Sequence, residues 1–191
     1  VPATLQPEEA VFAEPLSCCL NALELGGTRE GAAVAIWGAG PAGTLLNRAS
    51  RALGARPINI ERDERRRKLI EGVAEPPSQP VDVAIVAVGD RSAYEEALNA
   101  LGPRGRLVLF SGLAPAETQL PIDVNRMHYH EQSVIGAYGC CLRHGVRALD
   151  FLASGAVAVK DLVSHDLPLE QLGHALDLVA ERAGMKVLLR P

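Results

Sequence analysis

Gly38-Ala39-Gly40-Pro41-Ala42-Gly43 follows an apolar run over residues 32–37 and precedes a helical pattern over residues 44–53. The order of strand, glycine turn and helix gives each glycine a physical task. Gly38 permits a tight turn, Gly40 lets backbone approach a pyrophosphate with no side chain between, and Gly43 lets the helix pack close to the strand. The helix that opens at Pro41 and Ala42 presents unpaired N–H groups and a positive dipole end to phosphates. An acid, Glu61, stands eighteen positions past Gly43, where such folds hold a ribose hydroxyl. Together these features predict a dinucleotide-binding fold; the competing reading is a glycine turn in another α/β fold.

Outward from the loop, strand-like and helical stretches alternate. Residues 7–25 read as helix with a break near Pro15, stopped by Gly26-Gly27. Residues 58–61 read as a short second strand and residues 62–70 as a charged helix. Glu75-Pro76-Pro77-Ser78-Gln79-Pro80 reads as a linker. Strands follow over 83–88, 106–110 and 133–138, with helices over 92–101, 146–153 and 169–183 and a closing strand over 186–189. The predicted class is α/β: a Rossmann-like open parallel sheet with helices on both faces. Right-handed crossovers bring the strand ends after Trp37, Val88 and Phe110 to one edge, where such sheets bind ligands.

The chain has 191 residues, a net charge of −4 and 48% hydrophobic residues, the size of one domain or one domain with an appendage. No basic stripe appears, which argues against nucleic acid. No apolar run reaches membrane-spanning length and no signal peptide is visible. The first residue is Val1 rather than Met, so a processed, trimmed or partial chain is expected. Neither Cys18-Cys19 nor Cys140-Cys141 has the C-x-x-C spacing of zinc or redox sites; they read as buried thiols of a cytoplasmic protein. His128 and His130 would share one face if they lay on a strand, the geometry of a metal pair, against the plainer reading of scattered histidines.

The arrangement resembles the medium-chain dehydrogenase/reductase family, in its zinc-type alcohol and polyol (sorbitol, threonine) dehydrogenase branch. The segments that carry the resemblance are Ala13-Glu14-Pro15-Leu16-Ser17-Cys18, the loop Gly38–Gly43, residues 81–89, Gly102-Pro103-Arg104-Gly105-Arg106-Leu107-Val108, residues 125–139 and Lys186-Val187-Leu188. The resemblance implies three parts: residues 1–30, a lead-in helix joining a catalytic domain that is missing here; residues 31–142, the NAD(P)-binding domain; and residues 143–191, a helical and strand segment on the catalytic-domain side. The family's GroES-like catalytic domain supplies most zinc ligands and much of the substrate pocket. Glu14 matches the position of an acid at or beside the catalytic zinc. It would be a metal ligand only if a partner domain supplied the others, since a catalytic site needs about three protein ligands; zinc is not expected in this chain alone. The plain alternative for Glu14 is a solvated acid before Pro15.

Between Ile70 and Val81 the family places an edge strand and a helix; this chain has ten residues, several of them proline. The second strand then becomes the sheet edge, where Pro57 is tolerated, and one side of the adenine pocket opens. An acid at the end of that strand suits NAD, whereas an arginine suits NADP. Glu61 and Arg62 both stand there, so the cofactor form stays open. The run Arg65-Arg66-Arg67-Lys68 is either part of a 2′-phosphate clamp with Arg62 or a solvated helix with pairs Glu61–Arg65, Asp63–Arg67 and Glu64–Lys68. Val88, Gly89, Ser111 and Gly112 are expected to border the nicotinamide ring, and Lys186 matches a position whose basic side chain reaches the pyrophosphate.

The implied function is the cofactor-binding part of an NAD(P)-dependent dehydrogenase, with hydride transfer between a secondary alcohol and nicotinamide. The alternatives are a nucleotide-binding or partner module without that activity, or a shortened relative with other chemistry. A homodimer through strand 133–138 is expected, with a separate catalytic domain or subunit as a further partner. The final helices would then expose an apolar patch.

Overall fold

A computed structural model describes residues 2–191. A short helix, α1 (Pro7–Ala10), leads into α2 (Ala13–Leu25). The break falls at Val11–Phe12, ahead of the expected place. Pro15 sits inside the first turn of α2, where a missing N–H removes no intrahelical bond. Next come β1 (Ala33–Trp37), α3 (Pro41–Ala52), β2 (Arg56–Ile60), α4 (Glu64–Leu69), β3 (Val81–Val86), α5 (Arg91–Ala100) and β4 (Leu101–Leu109). The rest is α6 (Val124–Tyr129), β5 (Ser133–Gly136), α7 (Leu142–Ala153), β6 (Val163–Pro168), α8 (Leu172–Ala180) and β7 (Lys186–Arg190).

The main sheet has the order β2-β1-β3-β4-β5 with every pair parallel, as the alternation of elements requires. Strand periodicity divides the core between the two faces. Val34 and Ile36 of β1, with Val83 and Ile85 of β3, pack under α2, α3 and α7 against Leu16, Leu20, Leu45, Leu46 and Leu152. Ala35 and Trp37, with Ala84 and Val86, face α5 through Ala93, Tyr94 and Ala97. β6 and β7 form a separate parallel pair; β6 was not foreseen.

β2 does end the sheet, yet its outer side is not wholly bare. Glu61 N–H donates to Val73 O at 2.9 Å and Val73 N–H to Asn59 O at 2.9 Å, a single bridge left by the short 71–80 connection. Residues 57, 59 and 61 turn their backbone groups outward by alternation, so Pro57 lacks a donor on the side where no ladder needs one. His128 lies in the last turn of α6 and His130 is its C-cap, so the shared strand face does not arise. Cys19 is buried, but Cys140 and Cys141 are exposed, because they lie in the connection between β5 and α7. The exposed patch on the final helices is present: Leu172, Leu176 and Val179 of α8 are all exposed.

Candidate functional site

The glycine loop is clamped from both sides. Gly38 has φ 108°, a left-handed conformation open to glycine. At Gly43 an added Cβ would overlap Gly38 O, so the helix-to-strand approach excludes any side chain. Gly40 differs. It is the N-cap of α3 with φ −71°, and a Cβ there would meet only the Arg66 guanidinium, at 3.6 Å. Neither backbone conformation nor packing demands glycine at position 40, so the space over it is a cradle that a side chain would fill. Behind it, Ala42 and Gly43 N–H have no hydrogen-bond partner among the described residues. They are free to hold an anion at the start of a twelve-residue helix. The donor set fits a dinucleotide pyrophosphate.

Asn59, which sequence reading passed over, holds the loop's shape. Its Nδ2 donates to Gly38 O at 2.7 Å and Gly43 O at 3.1 Å, while its Oδ1 accepts from Asn47 Nδ2 at 2.6 Å. The available signal was one amide side chain between Ile58 and Ile60 in a strand, since a buried polar group has to be paired. Arg66 was noted only within a basic run. Its guanidinium lies beside Gly40 and donates to Arg182 O at 3.0 Å.

Glu61 Oε2 accepts from Ala39 N–H at 2.8 Å and Oε1 from Asp63 N–H at 2.9 Å, which ties the end of β2 to the glycine loop. Arg62 reaches across to the β3–α5 connection, meeting Asp90 at 3.2 Å, Ser92 Oγ at 3.1 Å and Glu96 at 2.7 Å. Of the three expected helical pairs, only Glu64–Lys68 forms, at 2.7 Å. Asp63 instead caps α4 by accepting from Arg65 and Arg66 N–H, and the Arg65 side chain beside it holds its carboxyl below the usual carboxylate range. Arg67 donates to the carbonyls of Glu61 and Arg62.

Gly38, Glu61, Arg62 and Val88 share a cavity of about 170 Å³ with Trp37 and Asp90, at the point where the strand order reverses between β1 and β3. Gly89 and Gly112 adjoin, for a Cβ on Gly89 would stand 3.0 Å from Gly112 O. Ser111 and Gly112 line a larger, mostly apolar cavity of about 590 Å³ with Leu113, Ala137 and Tyr138, at the carboxyl ends of β4 and β5. Tyr94 donates to Ser111 O and so braces that rim. Two expected residues stand apart. The Lys186 ammonium lies 5.5 Å over the Phe12 ring. Glu14, exposed in the first turn of α2, accepts a hydrogen bond from the Cys18 thiol at 3.3 Å. No group of three His, Cys, Asp or Glu side chains placed to hold a metal occurs among the described residues, so Glu14 lacks companions for zinc. No helix among these residues is long and apolar enough to cross a membrane.

Residues 70–154 match the family model of the zinc-binding dehydrogenases, a span that begins after the glycine loop. Curated relatives include sorbitol dehydrogenases of Bacillus subtilis and Homo sapiens. Each is 27% identical to the chain over its full length, and the chain spans 59% and 58% of their respective lengths. Among solved structures, a protein assigned as a zinc-binding dehydrogenase of Sinorhizobium meliloti, bound to NADP, superposes with a TM-score of 0.87 at 27% identity, over 100% of this chain and 61% of that one. An alcohol dehydrogenase of Thermus sp. gives 0.85 at 27% identity, over 100% and 62%.

Proposed function

We propose that the chain is the cofactor-binding part of a zinc-type medium-chain dehydrogenase and that it binds NAD or NADP in service of alcohol or polyol oxidation. Gly40 carries the reading: it is a glycine that the fold does not require, set over two free N–H groups at a helix start. The Sinorhizobium relative, bound to NADP, supports the same ligand class. Ala42 and Gly43 N–H would receive the pyrophosphate, with Arg66 as the nearest cation. Glu61 would face the adenosine ribose, and its partners Ala39 and Asp63 fix its orientation. Arg62, matched by Asp90 and Glu96, is not free for a 2′-phosphate unless it leaves them, so the cofactor form stays open between NAD and NADP. Val88, Gly89, Ser111 and Gly112 would border the nicotinamide, whose C4 supplies hydride chemistry when the cofactor is bound. Lys186 would have to swing from Phe12 to reach the pyrophosphate. Residues 31–142 would form the cofactor domain, residues 1–30 its lead-in, and residues 143–191 the side turned to a catalytic domain or subunit. That partner would complete any zinc site around Glu14. A homodimer through β5 is part of the same reading.

Calorimetry with NAD, NADH, NADP and NADPH tests it. Binding of at least one is expected, together with a loss of tenfold or more (about 1.4 kcal/mol) in Gly40→Val, whose circular dichroism should remain that of the folded parent because a Cβ at this position meets only the Arg66 guanidinium. Binding by none of the four, or equal binding by Gly40→Val, overturns the cofactor assignment. Binding without oxidation of any alcohol, even with a catalytic domain supplied, favours a nucleotide-binding module.

A further inference from the structure

A nucleophile, a base and an acid line up away from the glycine loop. Cys141 is the exposed N-cap of the twelve-residue helix α7. Its Sγ lies 3.4 Å from His144 Nδ1, and His144 Nε2 lies 3.1 Å from Glu24 Oε2 on α2. Cys141 N–H donates to the same Nδ1 at 3.2 Å. Nδ1 is therefore the ring's acceptor and Nε2–H faces the carboxylate, the tautomer ready to take a proton from sulfur. His144 is only 4% exposed, and packing between the two helices fixes its ring. Glu24 also accepts from the Arg143 guanidinium, two residues past Cys141 in the first turn of α7.

We infer that Cys141 is an activated thiol, a site at which the chain forms mixed disulfides with small anionic disulfides. His144 takes the thiol proton at Nδ1, and Glu24 balances the imidazolium through Nε2–H. The thiolate attacks one sulfur of the disulfide. The new sulfur–sulfur bond forms as the old one breaks, and the leaving thiolate recovers the proton from His144, so one thiol and one disulfide go in and one of each comes out. The Arg143 guanidinium and the start of α7 favour an anionic partner.

The surroundings distinguish this sulfur from the other three. Desolvation opposes a Cys141 thiolate, but hydrogen bonds from His144 and Arg143 N–H and from the Arg143 side chain outweigh it and hold the thiol below its ordinary value. Burial, and then Glu14 beside it, pushes Cys18 up to about 12, and burial raises Cys19 further. Cys140 has a different neighbour, Ser17 Oγ at 3.0 Å, and no base hydrogen-bonded to it among the described residues. The charged groups about Cys141 are Arg143 and His144 of α7 and Glu24 of α2. Glu8 and Glu9 of α1, which also packs on α7, lie instead near Arg190 at 3.9 Å and Lys160 at 3.8 Å.

The test uses the full chain and dithiobis-nitrobenzoate, an anionic disulfide, at about pH 6, where ordinary thiols are slow. One thiol should react at least tenfold faster than free cysteine. Peptide mapping should place the adduct on Cys141, and Cys141→Ser should abolish the fast phase while Cys140→Ser retains it. The rate should rise with pH at an inflection below that of the unfolded chain. Glu24→Gln, at an exposed position, should slow the phase several-fold through its contact with His144 Nε2 while leaving the buried His144 side chain itself in place. A fast phase that maps to Cys140 or Cys18, that survives Cys141→Ser, or that never exceeds free cysteine overturns the assignment.

Discussion

At the scale of single residues, Asn59 matters to the site as much as the glycines do. Its amide closes Gly38 O, Gly43 O and Asn47 into one buried network. Asn59→Leu leaves the Gly38 carbonyl and the Asn47 amide unpaired in the interior, where each orphan costs about 1–3 kcal/mol, while Gly43 O keeps its bond within α3. Denaturant unfolding of Asn59→Leu should show a loss of about 2–4 kcal/mol, and cofactor affinity should fall with it because the loop loses its brace. The glycines were legible in the sequence because each answers a local steric demand between a strand and a helix. Asn59 was not, since its partners are residues 38, 43 and 47, which only folding brings to it. Glu61 lies between these cases. Its position at the end of β2 could be read, but its bond to Ala39 N–H could not. Arg62 likewise could be placed, while its pairing with Asp90 and Glu96 depends on the β3–α5 connection lying opposite.

Elements were read more securely in type than in extent. The strands β1, β2, β3 and β5 stand within two residues of their expected starts, because apolar runs bounded by turn residues leave little choice. β4 starts five residues earlier than the sequence suggested. Gly102-Pro103-Arg104-Gly105 reads as a turn, but the chain keeps pairing with β3 through a register shift, and Gln132 Nε2 binds the carbonyls of Leu101 and Gly102. Helix α3, which carries the anion site, is held at its far side by a clasp that no pattern announced. Arg48 donates to both oxygens of Asp161, at 2.7 and 2.5 Å, and to Ala158 O at 2.5 Å. The hydrogen bond from Arg48 holds the Asp161 carboxyl below the usual carboxylate range. A depressed folded value means that the stabilisation is present above the unfolded carboxylate value and is lost as pH falls through the folded one. The Asp161 side chain is 63% exposed, so screening keeps the effect small. Asp161→Asn should cost about 0.5–1 kcal/mol near neutral pH. Parent and variant should converge in acid titrations of unfolding as pH falls below the usual carboxylate range. A constant difference across that range would show that lost packing, not charge, sets the effect.

At the scale of the whole molecule, the sheet has two unlike ends. The β2 end is closed in part by Val73 and blunted by Pro57, so a second sheet gains little there. The β5 end carries neither device. Ala137 N–H donates inward to Leu109 O at 3.0 Å, and by alternation the backbone groups of Val134 and Gly136 point away from β4, unpaired among the described residues. The apolar side chains Val134 and Ile135 are half-buried there, and no charged residue lies within β5 to repel a second copy. Two copies related by a two-fold axis would pair these edges antiparallel and extend both sheets into one. Val134→Pro removes an outward donor and leaves the inward ladder to β4 intact. Sedimentation at tens of micromolar should therefore give a dimer for the parent and a monomer for Val134→Pro, with the circular dichroism of the parallel sheet unchanged. A parent that sediments as a monomer would remove the edge from the assembly. A dimer that survives the substitution would move the contact elsewhere, and the exposed face of α8 formed by Leu172, Leu176 and Val179 is the apolar surface that remains to account for it.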